Sequence, residues 1–249
     1  MELLARMVFW FMLYSTSGWV YETIFCSVTE RRFINRGFLN GPYCPIYGCG
    51  ALFDILLLGK IQNPLLLFAL GGIITCTLEY LTSLGMEKLF HARWWDYSER
   101  KFNIGGRVCL LGAVVFGAFS VLLIKFMHPA VIRLTGCLSG YRLPVIAALF
   151  AAVFGLDLTV TLTGFAGFND RLAAFSEALA QKRAEAAERM RDSAAYAMLN
   201  SLHAEFASKL SGQQRRMVAA FPRLRSVKHN PVLSEMRKHI LKKRSTHNL

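Results

Sequence analysis

Apolar residues form five long stretches in the first two thirds of the chain, and polar segments separate them. The stretches cover residues 3–25, 43–58, 64–84, 108–127 and 143–168. A helix needs about 20 mostly apolar residues to cross a hydrocarbon core of about 30 Å. Four stretches have that length, and residues 40–42 extend the second, which is shorter. The pattern predicts an all-α fold, a polytopic membrane helix bundle with five transmembrane helices.

Charged residues divide the chain into two regions. They make up 18% of the 249 residues, below the roughly 25% of a typical soluble domain, and they are concentrated after residue 168. We therefore predict that residues 1–168 form the transmembrane helix bundle and that residues 169–249 form a cytosolic, helical, basic C-terminal tail. The first stretch lacks a basic leading segment and a small-residue cleavage site, which favours a retained helix over a signal peptide.

Basic residues between the apolar stretches predict the orientation of the chain. They are frequent after the first, third and fifth stretches and scarce after the second and fourth. Cytosolic loops carry an excess of Lys and Arg, so these three segments are expected on the cytosolic side. With five spans, this places the N-terminus outside and the C-terminus in the cytoplasm of a multi-pass protein of the cell membrane.

Three acidic residues in the predicted spans call for an explanation: Glu22, Glu79 and Asp157. An acidic residue at the bilayer centre costs about 2.5–3.5 kcal/mol, so it usually faces a polar interior and finds a partner. Small or hydroxyl residues recur on the same helical faces, which suits close helix packing as well as a hydrated cavity. The alternative is a structural carboxylate capped by an arginine such as Arg36 or Arg107.

The segment Arg36–Gly50 is rich in glycine and proline where the second stretch begins. Such a composition predicts a broken or re-entrant helix entry, and irregular backbone at membrane depth is tolerated where it lines a cavity or is buried in protein. A plain loop-to-helix junction is the alternative, because proline is common at a helix start.

The connection after the third stretch contains the aromatic residues Trp94, Trp95 and Tyr97, among polar ones. These rings fit an aromatic belt at the membrane surface, whereas the nearby Asp96, Asn103 and Arg107 favour a more specific role. The polar residues expected on the cytosolic side give a set of candidates for lining a substrate-binding cavity. The set is Glu22, Arg36, Asn40, Tyr47, Glu79, Asp96, Asn103 and Arg107.

Several of these segments, taken together in order and spacing, resemble a known family. They are Gly18-Trp-Val-Tyr-Glu22, Arg36–Gly48, Glu79-Tyr80, Trp94-Trp-Asp-Tyr-Ser98 and Asn103–Cys109, with Phe221-Pro-Arg-Leu224 as a short tail motif. The family is the bacterial one labelled putative ABC-transporter type IV permease (CmpB-like), and the resemblance covers about residues 5–170. It implies a bacterial membrane protein of five to six helices that acts as a transporter permease component.

The tail has two parts. Residues 169–211 are predicted to form one long helix, which at about 1.5 Å per residue would extend roughly 60 Å. Its apolar residues recur at mixed steps of three and four, which leaves open whether it is solvated or packs on a partner or a second copy of the chain. The segment after Gly212 is basic and is expected to contact anionic lipid headgroups. It lacks the interleaved aromatic residues that stack on bases, so no nucleic acid is expected as a partner.

Catalytic and cofactor signatures are absent from the sequence. It has no phosphate-binding loop, so a permease of this kind would need a separate ATPase subunit, and no hydrolase motif. The six cysteines fit buried small residues, their spacing matches no zinc pattern, and no cofactor or metal is expected. The isolated histidines His91 and His128 are expected to be solvated.

Three functions therefore remain open. The first is a permease-like bundle that handles a small solute in a polar cavity facing the cytosol. The second is a membrane-embedded enzyme that acts on a lipid or isoprenoid at the cytosolic leaflet, with two carboxylates as acid and base and an arginine as phosphate clamp. The third is a membrane scaffold or sensor. The one-sided polar cluster suits the enzyme at least as well, because a transporter also needs polar groups toward its outer exit.

Overall fold

The computed structural model describes residues 2–138, 140–189, 201–203 and 205–246 of the chain. Its helices are α1 (Glu2–Thr29), α2 (Pro45–Leu58), α3 (Pro64–Phe90), α4 (Leu110–Leu122), a π-helical turn (Leu123–Met127), α5 (His128–Cys137), α6 (Arg142–Phe165), α7 (Phe168–Arg189), α8 (Gly212–Ala220) and α9 (Asn230–Thr246). Residues 201–203 and 205–209 are also helical. The all-α prediction is confirmed.

Four strands of two residues each accompany the helices. They are β1 (Ala92–Arg93), β2 (Asn103–Ile104), β3 (Val108–Cys109) and β4 (Arg225–Ser226). Strand β1 pairs antiparallel with β4, and β2 pairs antiparallel with β3. The second pair forms a hairpin directly before α4, so the connection between α3 and α4 is an ordered structure.

Within the part of the chain that the structure describes, three helical segments are long and apolar enough to cross a membrane. They are α3, the continuous segment Leu110–Cys137 and the segment Arg142–Lys182 that begins with α6. Helix α2 is apolar but shorter. Each of the five predicted apolar stretches contains a helix, and the chain has the helices of a membrane protein. That all five cross the membrane stays a prediction.

Helices α1 and α2 pack at unusually close range through small residues. A Cβ atom at Gly18 would lie 2.2 Å from Cγ of Tyr47, and one at Gly48 would lie 2.2 Å from Oγ of Ser15. The backbone N–H of Cys44, just before α2, donates to the carbonyl of Ser15 at 2.8 Å. This small-residue contact brings α2 against the face of α1 that carries Ser15, Gly18 and, one turn further, Glu22.

Helices α3 and α4 approach each other in the same way. A Cβ atom at Gly72 would lie 2.9 Å from the carbonyl oxygen of Ala113, and one at Gly117 would lie 2.6 Å from that of Phe68. A Cβ atom at Gly71 would lie 2.3 Å from Oγ of Ser120. Glycine at these positions therefore lets the two backbones approach closely.

The structure separates into two compact units. The first contains Met1–Leu84 and Asp96–Val160, and the second contains Gly85–Trp95 and Thr161–Leu249. The second unit thus combines the end of α3 and strand β1 with the C-terminal third of the chain.

The predicted single helix over residues 169–211 is wrong. The rings of Phe175 and Phe206 stack with centroids 4.2 Å apart, whereas 31 residues of straight helix would separate them by about 45 Å. The guanidinium of Arg171 also donates to the carbonyl of Lys209 at 2.7 Å. The chain folds back because burying these rings against each other removes apolar surface from water. The apolar positions Met190, Ala194 and Met198 lie outside the described residues.

The second unit has a hydrophobic core of its own. Its largest fully buried side chains are Trp94, Phe165, Leu172, Phe175, Gln214, Met217, Leu224, Leu233 and Met236. Trp94 is 2% exposed and packs against Phe90 and Phe165, with ring centroids 5.2 and 5.5 Å away. The aromatic-belt interpretation is therefore wrong for Trp94, whose indole is a core side chain.

The basic residues of the tail differ in their surroundings. Arg215, Arg223, Arg225 and Lys228 are exposed. The guanidinium of Arg237 instead donates to the carbonyl oxygens of Pro222, at 2.6 Å, and of Leu224. Arg237 therefore holds the Phe221–Leu224 turn. The side chains of residues 242–249 lie outside the described part.

Candidate functional site

Glu22, near the end of α1, lies between a tyrosine and an arginine. The hydroxyl of Tyr47, in the first turn of α2, donates to Oε1 of Glu22 at 2.7 Å. Nε of Arg36, in the loop before α2, lies 3.6 Å from Oε2. The close packing of Gly18 on Tyr47 positions the phenol beneath the carboxylate, and the arginine offsets its charge. The sequence alternative of an arginine-capped carboxylate thus describes Glu22.

Glu79, in the middle of α3, is more deeply buried and less completely satisfied. Its side chain is 6% exposed. The hydroxyl of Tyr97 lies 3.3 Å from Oε1, and Oε2 is buried without a hydrogen-bond partner among the described residues. A buried acceptor with no partner is costly, by about 1–3 kcal/mol and more when it is charged. Glu79 therefore has a buried acceptor that the described protein atoms do not satisfy.

Tyr97 connects the two carboxylates. Burial raises the pKa of the Tyr97 hydroxyl above its usual range, and the negative charges of Glu79 and Glu22 raise this pKa further. Tyr97 thus contacts Glu79 of α3, and the charge of Glu22 on α1 acts on the same phenol. We name Glu22, Tyr47, Glu79 and Tyr97 the two-carboxylate site.

Arg107 lies beside this site on the α3 face. It is buried, and its Nη1 donates to Oγ of Ser83 at 3.1 Å. Its guanidinium carbon is 5.7 Å from the ring centroid of Tyr80. Ser83 follows Glu79 by one helical turn, so Arg107 is a neighbour of Glu79. No ion pair between the two is present among the described residues.

Asn40 belongs to a second cluster, around Asp157 of α6. The backbone N–H and the side-chain amide of Asn40 donate to Oδ1 of Asp157 at 3.1 and 2.8 Å. The N–H of Gly41 and the hydroxyl of Tyr43 both donate to Oδ2 at 2.7 Å. Burial raises the pKa of the Tyr43 hydroxyl, and its hydrogen bond to Asp157 raises it further. Asp157 thus anchors the loop before α2.

Asp96 and Asn103 shape the connection that carries Tyr97. Oδ1 of Asp96 accepts from the backbone N–H of Ser98 at 3.0 Å and from its hydroxyl at 2.5 Å. Asn103 donates to the carbonyl of Arg100 at 2.8 Å and accepts from the N–H of Gly106 at 2.9 Å. These bonds fix the turns around Tyr97. Of the eight candidates, the structure joins Glu22 to Arg36 and Tyr47, places Arg107 one helical turn from Glu79 on α3, and gives Asn40, Asp96 and Asn103 loop contacts.

Two features of the membrane helices were not predicted from the sequence. Asp54, in α2, is 2% exposed, and Oγ of Ser120 in α4 lies 2.5 Å from its Oδ2. His128 is buried and its Nδ1 lies 2.9 Å from the hydroxyl of Tyr14, so the prediction of a solvated histidine is wrong there. Asp54 lies in an apolar stretch with no motif around it and no polar residue next to it in sequence. Nothing in the sequence therefore marked it as a candidate.

Metal ligation has no support in the described part of the chain. No group of three or more His, Cys, Asp or Glu side chains there is placed to hold an ion. All six cysteines are free thiols.

The fold and the two-carboxylate site define a helical membrane protein whose polar centre is assembled from separate helices. The chain belongs to the family described as putative ABC-transporter type IV, whose model matches residues 9–162. The match covers the two-carboxylate site, the Asp157 cluster and the Asp54–Ser120 pair. Searches among curated proteins and among solved structures gave no significant match.

Proposed function

We propose that this protein is the permease component of a transporter and that the two-carboxylate site binds a small solute that carries a positive charge or several hydrogen-bond donors. The observation that carries this proposal is Oε2 of Glu79, a buried acceptor on an apolar helix with no partner among the described residues. A ligand N–H or cation would supply the missing partner.

The charges of the site favour such a solute. Glu22 has Arg36 within 3.6 Å, whereas Glu79 has only the neutral hydroxyl of Tyr97. The charge of an ionised Glu79 is therefore not offset by an ion pair among the described residues. Interactions between a bound cation and this carboxylate would be strong, because the surroundings of the site are apolar.

Polar groups elsewhere in the helices support transport over catalysis. Asp54 follows Tyr47 on α2 by seven residues, which is about 10 Å along the helix. The buried pairs Asp54–Ser120 and Tyr14–His128 supply the polar groups that a solute path needs beyond the first site.

The proposal includes a topology and partners. Five spans with the N-terminus outside and the C-terminus in the cytoplasm place the two-carboxylate site toward the cytosol, in a bacterial cell membrane.

The family points to transport driven by ATP, and a separate ATPase subunit would supply the phosphate-binding loop. The exposed arginines of the tail, such as Arg215 and Arg223, suit contact with anionic lipid. The second unit offers a surface for the ATPase or for a second copy of the chain.

Replacing Glu79 with glutamine tests the proposal. The purified protein is first screened for thermal stabilisation by potassium, ammonium, choline, primary amines and basic amino acids. A ligand at 100 times its Kd stabilises the folded state by about 2.7 kcal/mol. Radiolabelled forms of each stabilising compound are then offered to cells that express the protein. We expect Glu79→Gln to lose the stabilisation and to lower the initial rate of flux at least tenfold.

The matched control is Glu99→Gln, which neutralises an exposed glutamate in the connection between α3 and α4. This variant is expected to retain both the thermal stabilisation and the flux. Equal stabilisation and equal flux in the Glu79→Gln and Glu99→Gln proteins would overturn the proposal, as would a screen in which no compound of this chemistry stabilises the protein.

A further inference from the structure

Asp54 and Ser120 form a buried pair that the two-carboxylate site does not use. Asp54 is 2% exposed and Ser120 is 1% exposed. Oγ of Ser120 lies 2.5 Å from Oδ2 of Asp54 and 2.9 Å from the carbonyl oxygen of Phe116. Oδ1 of Asp54 is buried and has no hydrogen-bond partner among the described residues.

The hydrogen bonds of Ser120 favour a second proton in this pair. A serine hydroxyl has one hydrogen to donate, yet its oxygen is within hydrogen-bond distance of two acceptors, the Asp54 carboxyl and the Phe116 carbonyl. If Asp54 were ionised, one of the two contacts would lack a hydrogen. If Oδ2 of Asp54 carries a proton, Asp54 donates to Ser120 and Ser120 donates to Phe116, so both contacts are satisfied.

Neighbouring charges do not compensate an ionised Asp54. Titratable side chains on the elements packed against α2 include Arg6 and Tyr14 of α1 and Lys125 of the π-helical turn, which His128 follows; Arg6 pairs with Glu2 at 2.7 Å. Tyr14 and His128 hydrogen-bond to each other at 2.9 Å. Nζ of Lys125 lies 3.2 Å from both the carbonyl of Ile61 and Oε1 of Gln62, beyond the end of α2. Helix α3 presents Gly71 at Ser120, and Asp54 has no ion pair in the described part of the chain.

Burial decides between the two forms of the carboxyl group. An unpaired carboxylate in a medium of low polarity is so costly that the group takes up a proton instead. A neutral carboxylic acid that donates one hydrogen bond, here to Oγ of Ser120, costs far less. Both the hydrogen count and the burial therefore favour the neutral form.

We propose that Asp54 is a proton-binding site, with the proton on Oδ2 donated to Oγ of Ser120. Water at the membrane surface supplies the proton: a carboxylate and a hydronium ion give a carboxylic acid and water, and release is the reverse. The Asp54 site is separate from the two-carboxylate site. The proposal for Asp54 holds whether or not the two-carboxylate site binds a cationic solute. In a working transporter, this proton is the ion that can be exchanged during the solute cycle.

Infrared spectroscopy of the full chain in phosphatidylcholine vesicles at neutral pH tests the proposal. The difference between the wild-type and Asp54→Asn spectra is expected to contain the carbonyl stretch of a protonated carboxylic acid, shifted to lower frequency in D2O. Asparagine has the shape of the neutral acid, so this variant is expected to fold. In Ser120→Ala the same carbonyl band should move to higher frequency, because the acid loses its hydrogen-bond acceptor.

Asp157→Asn is the control, because Asp157 accepts four hydrogen bonds and is expected to contribute carboxylate bands only. A wild-type minus Asp54→Asn spectrum that contains only the bands of an ionised carboxylate would overturn the proposal. So would a protonated-acid band that Ser120→Ala leaves in place. Neither readout depends on solute binding, so failure of the Glu79→Gln flux experiment leaves this test intact.

Discussion

Replacing Asp157 with alanine is expected to release the loop before α2. Asp157 accepts two hydrogen bonds from Asn40, one from Gly41 and one from Tyr43. Hydrogen bonds to a charged group contribute about 1.5–3 kcal/mol each and are not additive, so we expect the free energy of local opening to fall by about 3 kcal/mol. The backbone amides of Asn40 and Gly41 should then exchange with deuterium about a hundredfold faster, as read by mass spectrometry.

Hydrogen exchange in the loop measures the effect of Asp157→Ala better than global unfolding does. Alanine also removes an acidic group from an apolar helix, which offsets part of the loss in a global unfolding experiment. Asp157→Asn serves as the graded control, because the amide keeps one acceptor oxygen and should show an intermediate exchange rate. Unchanged exchange at Asn40 and Gly41 in Asp157→Ala would mean that Asp157 does not hold the loop.

Replacing Trp94 with alanine is expected to unfold the second unit. The indole is 2% exposed and packs on Phe90 and Phe165, and loss of a buried tryptophan costs about 3–5 kcal/mol. Strand β1 begins two residues before Trp94 and pairs with β4, so the loss should reach the C-terminal segment. We expect faster hydrogen exchange in α8 and α9, with little change in α1 and α2.

The neighbouring residue gives the matched comparison. Trp95 is only partly buried, and Trp95→Ala should lower the stability of the second unit by about 1 kcal/mol or less, since surface substitutions have small effects. If Trp94 and Trp95 both belonged to an aromatic belt, replacing either with alanine would lower the stability of the second unit by a similar, small amount. Equal effects would therefore argue against Trp94 as a core residue.

The sequence predicted the helices well because long apolar runs are local signals. The helix breaks also followed from local chemistry, since Pro45 and Pro64 begin helices where the pattern expects them. An arginine cap was predictable for Glu22 because Arg36 follows it within 14 residues, in the loop after α1.

Contacts between residues far apart in the chain could not be predicted from the pattern of apolar and polar positions. Asp157 meets Asn40 across 117 residues, and Asp54 meets Ser120 across 66; nothing in the spacing of apolar residues encodes such contacts. The fold-back of the tail was missed for the same reason. The alanine-rich residues before position 189 gave no periodicity that would mark an end, and the stacking of Phe175 on Phe206 is a tertiary effect that overrides local helix propensity.

The most direct test of the two-carboxylate site is an electron cryo-microscopy structure of the protein in a lipid nanodisc. We expect the Glu22 carboxylate to accept from the Tyr47 hydroxyl, the Glu79 carboxylate to accept from the Tyr97 hydroxyl, and both to border one hydrated space. A map in which Glu79 faces lipid, or in which Tyr97 lies away from both carboxylates, would contradict the shared site and the transport mechanism built on it.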